Sequence, residues 1–397
     1  MARRSQVHRR PVEEATPQRR VAQADTSAHT NGDFTTLWEN VSQQILAVTF
    51  WFDPDPQQES SPVTVRFSGH RVDMKGQVES DDRFVHDETI DKVIAGSGPI
   101  SLTARIHDVN PGEWIVTAHI LKTTSSTRRS RGQGKPTITP DTLRLPTRLW
   151  HRWAHTAGSS EPVRTCLLPF ARVPGILLGI WATMVTLGIA IALALQALVI
   201  SRDHLAFNSV WAISLVAIVV GIVGAKVWFI ISYRLEHLIT GWCIQGFIVG
   251  ATLAAAIMLV VLSVPAGSFL DVTAPGLLVA MAVGRVGCFF AGCCGGPPTA
   301  ARWGIWSSDQ RVGARRIPTQ LLESALALSL GLVLLVMVLS HGPAGGAFFV
   351  AGLAAYTLIR QGILHLRAEE RKTRLGGPIT AALSALILLA AIVFLAR

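Results

Sequence analysis

Long runs of apolar residues fill the C-terminal part of the chain. A helix needs roughly 20 mostly apolar residues to cross the hydrocarbon core of a bilayer, and the first run of that length begins at Val173. Similar runs recur as far as the C-terminus, separated by short polar segments. The pattern predicts seven membrane-spanning helices, near residues 173–200, 207–232, 238–264, 270–293, 318–340, 346–366 and 376–396.

Residues 34–122 follow a different pattern, in which apolar and polar positions alternate. A period of two is typical of strands with one buried face. The turn Asn110-Pro111-Gly112 separates the last two alternating stretches and predicts a hairpin between them. Several such strands predict a small, sandwich-like all-β domain, which we interpret as an accessory or docking module. The alternating apolar residues are Val63, Val65, Phe67, Leu102, Ala104, Ile106, Trp114, Val116, Ala118 and Ile120.

These patterns divide the chain into four parts. Residues 1–33 form a basic, Arg-rich tail that we expect to be disordered, and its lack of an apolar run predicts no signal peptide. Residues 123–172, rich in Thr, Ser, Arg and Pro, predict a basic, flexible linker. The expected fold class is an all-α polytopic membrane protein with about seven transmembrane helices over residues 173–397. The soluble all-β domain, residues 34–122, precedes it.

Composition excludes two classes of protein. Hydrophobic residues make up 49% of the chain and charged residues 16%, whereas a soluble domain carries about 25% charged residues. An ordinary soluble enzyme and a disordered protein are therefore both excluded. The net charge of +10 is local, because residues 34–122 carry a net −6 and residues 123–172 a net +7. We expect no nucleic-acid partner.

Ionisable residues within the predicted spans are candidates for a functional site, because a charge inside a bilayer is costly. Lys226, Arg285, Glu323 and Arg360 lie within spans, and Asp271 lies at the start of the fourth. Lys226 and Glu323 could equally reach the interface or pair for structural reasons. Two arginines with few carboxylates favour an anion, and the planar guanidinium suits phosphate. In a membrane the obvious phosphate carrier is a phospholipid headgroup.

Glycines crowd the end of the fourth predicted span and are followed by two prolines. A helix cannot continue through this sequence, so the backbone must loop, which is tolerated where it lines a cavity or is buried in protein. Tight helix packing through small residues would explain Gly284 and Gly287 but not the break. The glycines are Gly284, Gly287, Gly292, Gly295 and Gly296.

The same residues resemble the signature of the bacterial prolipoprotein diacylglyceryl transferase family. The residues from Asp271 to Pro275 and from Gly284 to Phe289 are similar to its D-x-x-A-P and G-R-x-G-N-F motifs, at the same spacing. The resemblance covers residues 173–397 and says nothing about the first 172 residues. Four further stretches match in order: Gly224 to Lys226 (G-x-R), Gly241 to Gly250 (G-M-S-F-H-G-G-L-I-G), Arg316 to Glu323 (R-H-P-S-Q-L-Y-E) and Arg360 to Arg367 (R-x-x-x-E-x-x-R).

The resemblance implies a reaction. Members of this family transfer the diacylglyceryl group of phosphatidylglycerol to the lipobox cysteine of a prolipoprotein, which forms a thioether and releases glycerol phosphate. No cofactor or metal is implied. The implied location is the bacterial cell membrane, as a multi-pass protein. The implied partners are the bilayer, phosphatidylglycerol or another anionic phospholipid, and the lipobox peptide.

The resemblance also implies roles for particular residues. Arg285 and Arg360 would hold the phosphate and stabilise its developing charge as the C–O bond breaks. Gln245 stands where the family has a histidine in the third span and completes the expected catalytic set. Glu323 and Lys226 would orient the arginines or close the cavity. The expected substrate-binding residues are Lys226, Gly246, Gly284, Gly287, Gln320 and Glu323.

Several positions differ from the family pattern. Gln245 cannot act as a base near pH 7, whereas the histidine that it replaces can. Either another group or water deprotonates the incoming thiol, or the protein is a catalytically inactive member that binds anionic phospholipid or scaffolds a partner through its β-domain. A transporter is a third interpretation, although the sequence shows no inverted repeat. The other changed positions are Cys288, Ala291, Cys293 and Leu364, which replace Asn, Asn, Glu and Glu.

Three cysteines near the break follow the spacing C-x4-C-C, which matches no standard zinc pair. Three interpretations are open. The cysteines could form a metal site together with Cys243, form a disulfide near the membrane surface, or simply pack as small apolar side chains. The three cysteines are Cys288, Cys293 and Cys294.

The orientation in the membrane has two conflicting indications. The polar segments before spans one, three, five and seven are basic, and the opposite loops carry almost no charge. The positive-inside rule would place the basic side and the β-domain in the cytoplasm. The family resemblance implies the reverse, with the arginine site open toward exported substrates, and we favour that orientation.

Overall fold

The computed structural model describes residues 44–54, 60–72, 82–121, 145–203, 206–233, 242–368 and 375–397. The predicted disordered tail, residues 1–33, and the first part of the predicted linker, residues 123–144, lie outside the described residues. The described chain contains an N-terminal β-rich region followed by seven long apolar helices. The predicted fold class is therefore confirmed.

The described strands come from three parts of the chain. The predicted β-domain supplies β1 (Gln44–Phe52), β2 (Ser61–Arg71), β3 (Arg83–Val93), β4 (Ile100–Ile106) and β5 (Glu113–Leu121). The predicted linker supplies β6 (Val163–Arg164) and β7 (Cys166–Leu167), and the loop between the fourth and fifth spans supplies β8 (Ile305–Ser308) and β9 (Val312–Arg316). They form two sheets, in the orders β7-β1-β4-β9-β8 and β3-β2-β5-β6.

The two sheets enclose one hydrophobic core. Leu46 and Leu102 of the first sheet and Val65, Phe67 and Trp114 of the second are fully buried in it. The alternation in the sequence identifies these faces, since every second side chain of a strand points to the same side. Burying each large apolar side chain contributes about 1.5–3 kcal/mol, so this core stabilises the sandwich.

The predicted hairpin across Asn110-Pro111-Gly112 is wrong. β4 pairs with β1 and β9, whereas β5 pairs with β2 and β6. The connection carries the chain from one sheet to the other, and the indole N–H of Trp114 donates to the carbonyl of Asn110 (3.1 Å). This crossing lets both strands turn their apolar faces into the shared core.

The described half of the predicted linker contains regular structure. It begins with helix α1 (Leu145–Trp153). β6 then adds to the second sheet, where Val163 pairs with Trp114, and β7 adds to the first, where Cys166 pairs with Ile45. The sheets therefore extend beyond the predicted domain boundary at residue 122.

Seven helices are long and apolar enough to cross a membrane, and their number and order confirm the predicted spans. Successive helices run in opposite directions, so the ends of α3, α5 and α7 lie on the side of the β-domain. The helices are α2 (Ile180–Asp203), α3 (Phe207–Tyr233), α4 (Ile244–Val261), α5 (Ala266–Ala291), α6 (Thr319–His341), α7 (Ala347–Leu364) and α8 (Gly376–Leu395).

The first span begins later than the predicted residue 173, because two glycines interrupt the apolar run. Gly175 and Gly179 have φ angles of 81° and 71°, which lie outside the right-handed helical region. The N–H of Leu177 donates to the carbonyl of Phe290 at the end of α5 (3.0 Å). Residues 173–179 are therefore an irregular segment that packs against the end of α5.

The loop between α5 and α6 joins the helical bundle to the β-domain. Ser101 of β4 pairs with Gly313 of β9. Trp306 of β8 stacks on Trp51 of β1, with ring centroids 5.5 Å apart, and donates its indole N–H to the carbonyl of Pro99 (2.9 Å). The sheet therefore continues from the β-domain into the loop that separates the fourth and fifth spans.

Candidate active site

Glu323 is the centre of a charged network at the β-domain end of the bundle. It lies four residues after the start of α6, about 6 Å along the helix axis, and its side chain is 1% exposed. Its carboxylate accepts hydrogen bonds from the hydroxyl of Tyr356 (2.6 Å) and the guanidinium of Arg360 (3.0 Å). It also pairs with Arg285 (2.9 Å) and Arg367 (2.9 Å). A carboxylate can be buried this deeply because it is fully paired.

Three chain segments bring the arginines to this carboxylate. Arg285 lies six residues before the end of α5, Arg360 lies four residues before the end of α7, and Arg367 follows α7. The hydroxyl of Ser324 donates to the carbonyl of Ala282 (2.8 Å) and holds α6 against α5. The network therefore lies one to two helical turns inside the bundle.

The network carries excess positive charge. Three guanidinium groups surround one carboxylate, which leaves two positive charges in the part of the chain that the structure describes. The Nε of Arg367 is buried and has no hydrogen-bond partner among these residues. Fixed cationic donors in a site of low dielectric stabilise negative charge. An anion is therefore the ligand that this network suits.

The three arginine side chains of the network differ in their exposure. The exposed fraction of the side chain is 35% for Arg360, 14% for Arg285 and 7% for Arg367. Gly284, beside Arg285, faces open space, since an added Cβ would meet nothing within 4 Å. A ligand would therefore reach Arg360 first, with the other two guanidinium groups behind it.

The predicted break after α5 is a turn that α6 holds in place. Gly292 ends the helix with a φ of 72°. The side-chain amide of Gln320 donates to the carbonyl of Cys293 (2.8 Å), and the hydroxyl of Thr319 donates to the carbonyl of Cys294 (3.0 Å). The side chain of Gln320 is therefore hydrogen-bonded to the backbone of the turn.

Two of the predicted substrate-binding glycines lie at close helix contacts. A Cβ on Gly287 would lie 2.8 Å from the Cβ of Met184 in α2. A Cβ on Gly246 would overlap the carbonyl of Gly224 in α3 and the side chain of Trp228. Both glycines allow neighbouring helices to approach closely.

Lys226 and Gln245 lie on the α3–α4 pair of helices. The ammonium of Lys226 is 5.2 Å from the ring centroid of Trp242, a distance at which cation–π attraction operates. Gln245 is exposed, and its Oε1 accepts a hydrogen bond from the thiol of Cys243 (2.8 Å). Within the described residues, neither side chain belongs to the hydrogen-bonded network of Glu323.

The sequence-based site omitted two members of the network. Arg367 ends the sixth-span motif, so a signal for it was present in the sequence. Tyr356 precedes Arg360 by four residues on α7, and its hydroxyl lies 3.3 Å from that guanidinium. Residues four apart share one face of a helix, which could have indicated the tyrosine.

Asp271 has a structural role at the opposite end of the bundle. It is fully buried, and its carboxylate accepts hydrogen bonds from the backbone N–H groups of Ala344 (2.7 Å), Gly346 (2.8 Å) and Phe349 (3.0 Å). The first N–H groups of a helix have no partners within the helix, and a negative charge there is favourable. Asp271 therefore caps α7 and ties it to α5.

Comparison with known proteins identifies the family of this chain. The family described as prolipoprotein diacylglyceryl transferase matches residues 170–397. A protein of Clostridium perfringens named phosphatidylglycerol–prolipoprotein diacylglyceryl transferase 2 is 31% identical over 135 residues, which cover 31% of this chain and 53% of the relative. Proteins of Frankia alni and a Nostoc species carry the same name without a number.

The Frankia alni protein is 28% identical over 233 residues, which cover 54% of this chain and 62% of the relative. The Nostoc protein is 29% identical over 213 residues, which cover 48% and 73%. The chain therefore spans 53–73% of the length of these relatives. Because the family match covers more than half of the chain and includes all seven helices, this multi-pass membrane protein belongs to the prolipoprotein diacylglyceryl transferase family.

Proposed function

We propose that this protein transfers the diacylglyceryl group of phosphatidylglycerol to the lipobox cysteine of prolipoproteins in the bacterial cell membrane. The observation that carries the proposal is the network in which Arg285, Arg360 and Arg367 share the carboxylate of Glu323. Family membership and the names of the relatives support the same reaction. The partners are then the bilayer, phosphatidylglycerol and the lipobox peptide.

The exposed arginine suits the phosphodiester of the lipid headgroup. Arg360 uses its Nη1 for Glu323 and Tyr356, so its Nε and Nη2 can face a ligand. A guanidinium fork binds two phosphate oxygens at once. Arg285 lies behind it and adds positive charge, while Glu323 positions both groups.

The charge of the network fits the chemistry of the transfer. The sulfur of the lipobox cysteine attacks the glyceryl carbon that carries the phosphate ester. The S–C bond forms as the C–O bond breaks, and glycerol phosphate leaves with the additional negative charge. Fixed guanidinium groups stabilise that charge as it develops. The thiol proton passes to water or to a basic group, because Gln245 cannot accept it near pH 7.

The proposed orientation places the β-domain and the arginine network on the outer side of the membrane, where exported prolipoproteins arrive. Trp303 reports on this side, because it lies in the loop before β8 and is 58% exposed. In intact cells, Trp303→Cys should react with a membrane-impermeant maleimide, with the unsubstituted chain as the background control. Labelling that requires cell lysis would contradict this orientation.

Complementation tests the function in cells. A strain that lacks its own transferase should process prolipoproteins when it expresses this chain, and Arg285→Ala and Arg360→Ala should each abolish the processing. Arg202→Ala is the matched control, because Arg202 is exposed at the opposite end of α2. Failure of the intact chain, expressed and inserted at a normal level, would count against the transferase. Unchanged processing by either arginine variant would remove its catalytic role.

One observation favours a second function, a family member without turnover that binds anionic phospholipid. Gln245 stands at the position of the family's histidine, and the structure leaves it exposed near the start of α4. In that case phosphatidylglycerol binds in a manner that depends on Arg285, but no product forms. Rescue of the strain by Gln245→His alone would support this function, and turnover by the intact chain would exclude it.

A further inference from the structure

Two cysteines occupy paired positions in the turn that ends α5. The N–H of Cys293 donates to the carbonyl of Cys288 (3.2 Å), and the N–H of Gly292 donates to the carbonyl of Phe289 (3.4 Å). With Gly292 at a φ of 72°, these bonds form a Schellman motif. The side chains at the two ends of that motif pack against each other, and here both are cysteines.

The turn folds the side chain of Cys293 back onto Cys288. The sulfur of Cys293 is 3.7 Å from the carbonyl oxygen of Cys288. All five cysteines of the chain are free thiols in this structure. A disulfide needs Cα atoms about 4.4–6.8 Å apart, and the hydrogen bond from the N–H of Cys293 to the carbonyl of Cys288 brings the two residues together across the turn.

The two thiols differ in access. Cys288 is buried, whereas Cys293 is partly exposed, so a reagent reaches Cys293 first. Cys288 lies one helical turn after Arg285, and its sulfur is 4.0 Å from the Nη1 of that arginine. The neighbouring Cys294 has a φ of 58°, and strained backbone of this kind clusters at functional sites. The pair therefore lies directly beside the arginine network.

We propose that Cys288 and Cys293 are a redox-active pair that reacts with disulfides by thiol–disulfide exchange. The sulfur of Cys293 attacks one sulfur of an incoming disulfide and releases the first thiol. The sulfur of Cys288 then attacks that of Cys293 and releases the second thiol. Two protein thiols and one disulfide become one protein disulfide and two thiols. The protein is oxidised, the reagent is reduced, and the two thiol protons pass to the released thiols.

Mapping of the thiols in the full-length protein tests the proposal. The protein in phospholipid vesicles is incubated with glutathione disulfide or with dithiothreitol, alkylated and digested with chymotrypsin. This protease cleaves after Phe289 and Phe290, between the two cysteines. Glutathione disulfide should produce a cross-linked peptide containing Cys288 and Cys293, and dithiothreitol should restore both thiols.

Serine variants identify the pair. Cys293→Ser should leave Cys288 alkylatable and produce no cross-link, whereas Cys294→Ser should retain it and serves as the matched control. No cross-link in the native protein at any ratio of oxidised to reduced glutathione would overturn the proposal and leave the cysteines as packing residues. A cross-link that Cys294→Ser abolishes and Cys293→Ser retains would also overturn it. The readout is thiol content, so its failure would be distinct from a failure of the proposed transfer.

Discussion

At the residue scale, the site depends on one carboxylate that holds three cations. Glu323 is almost completely buried, and Arg285, Arg360 and Arg367 all lie within 3.0 Å of its oxygens. Without this carboxylate the guanidinium groups would repel one another inside the bundle. Glu323 therefore holds the arginines in the positions from which they could bind an anion.

Neutralising this carboxylate should destabilise the bundle. Removing one partner of a buried ion pair costs roughly 3–5 kcal/mol, so Glu323→Gln should lower the melting temperature clearly in thermal unfolding of the purified protein. Tyr356→Phe removes only the 2.6 Å hydroxyl bond and should cost about 1–3 kcal/mol. The exposed Glu161→Gln is the control. A larger effect for the tyrosine variant than for the glutamate variant would contradict this description.

The sequence indicates the charged members of the network but not the tyrosine. Arg285, Glu323 and Arg360 are identifiable because each places a charge within an apolar run. A charge there is costly unless it has a partner or a function. Tyr356 carries one hydroxyl on a mostly apolar ring, and its partner Glu323 lies on another helix, so only the packing of α6 against α7 shows the contact. The catalytic and binding roles of these residues stay predictions.

At the element scale, Asp271 determines how α7 begins. Three backbone N–H groups depend on its carboxylate, and a hydrogen bond to a charged group contributes roughly 1.5–3 kcal/mol. Asp271→Ala should therefore accelerate hydrogen exchange at residues 344–349, with Asp271→Asn intermediate because its amide oxygen still accepts. Exchange at β2 serves as the internal reference. Unchanged protection at residues 344–349 would contradict the capping role.

Some elements can be predicted from the sequence and others cannot. The bilayer imposes a minimum length on each apolar run, which is why seven helices are recognisable. The start of the first helix cannot be predicted from apolar character, because that character continues through Gly175 and Gly179, whereas their φ angles delay the helix until Ile180. The two-residue strands β6 and β7 have no periodicity and appear only when their partners are known.

At the scale of the whole molecule, the β-domain is attached to the loop that joins α5 to α6, two helices of the arginine site. Trp306 contacts Trp51 and Pro99 of the β-domain. The pairing of β4 with β9 cannot be predicted from local pattern, because the two strands are separated by about 200 residues of sequence. The β-domain and the helical part of the protein therefore share one sheet, although their amino-acid compositions differ.

Removing the indole should loosen this attachment. Trp306→Ala loses a stacked ring contact, which adds about 0.5–1.5 kcal/mol beyond burial of the ring. Limited proteolysis should then cut the segment 298–316 faster than in the unsubstituted chain. The exposed Trp303→Ala in the same loop is the matched control. Equal cleavage rates for the two variants would contradict the attachment through Trp306.

The ion pair between Glu88 of β3 and Arg311 of the same loop (3.5 Å) should make the attachment sensitive to acid. The hydrogen bond with His86, and then the charge of Arg311, hold the pKa of Glu88 below its usual value. Because the folded pKa is lower than the unfolded pKa of about 4.3, this stability is present above that pH and is lost as the pH falls through the folded value. Below about pH 4.3, the free energy of unfolding should fall less in Glu88→Gln than in the unsubstituted chain. The difference should be about 1 kcal/mol or less. An unchanged curve would contradict the contribution.

The central claim is that the arginine network binds a phospholipid phosphate and supports transfer from it. The most direct measurement uses the purified chain in vesicles of labelled phosphatidylglycerol with a lipobox peptide, and follows the label on the peptide by mass. The intact chain should form the thioether product, Arg360→Lys should form less because it keeps the charge but loses the fork, and Arg360→Ala should form none. No product from the intact chain, or equal product from Arg360→Ala, would contradict the account.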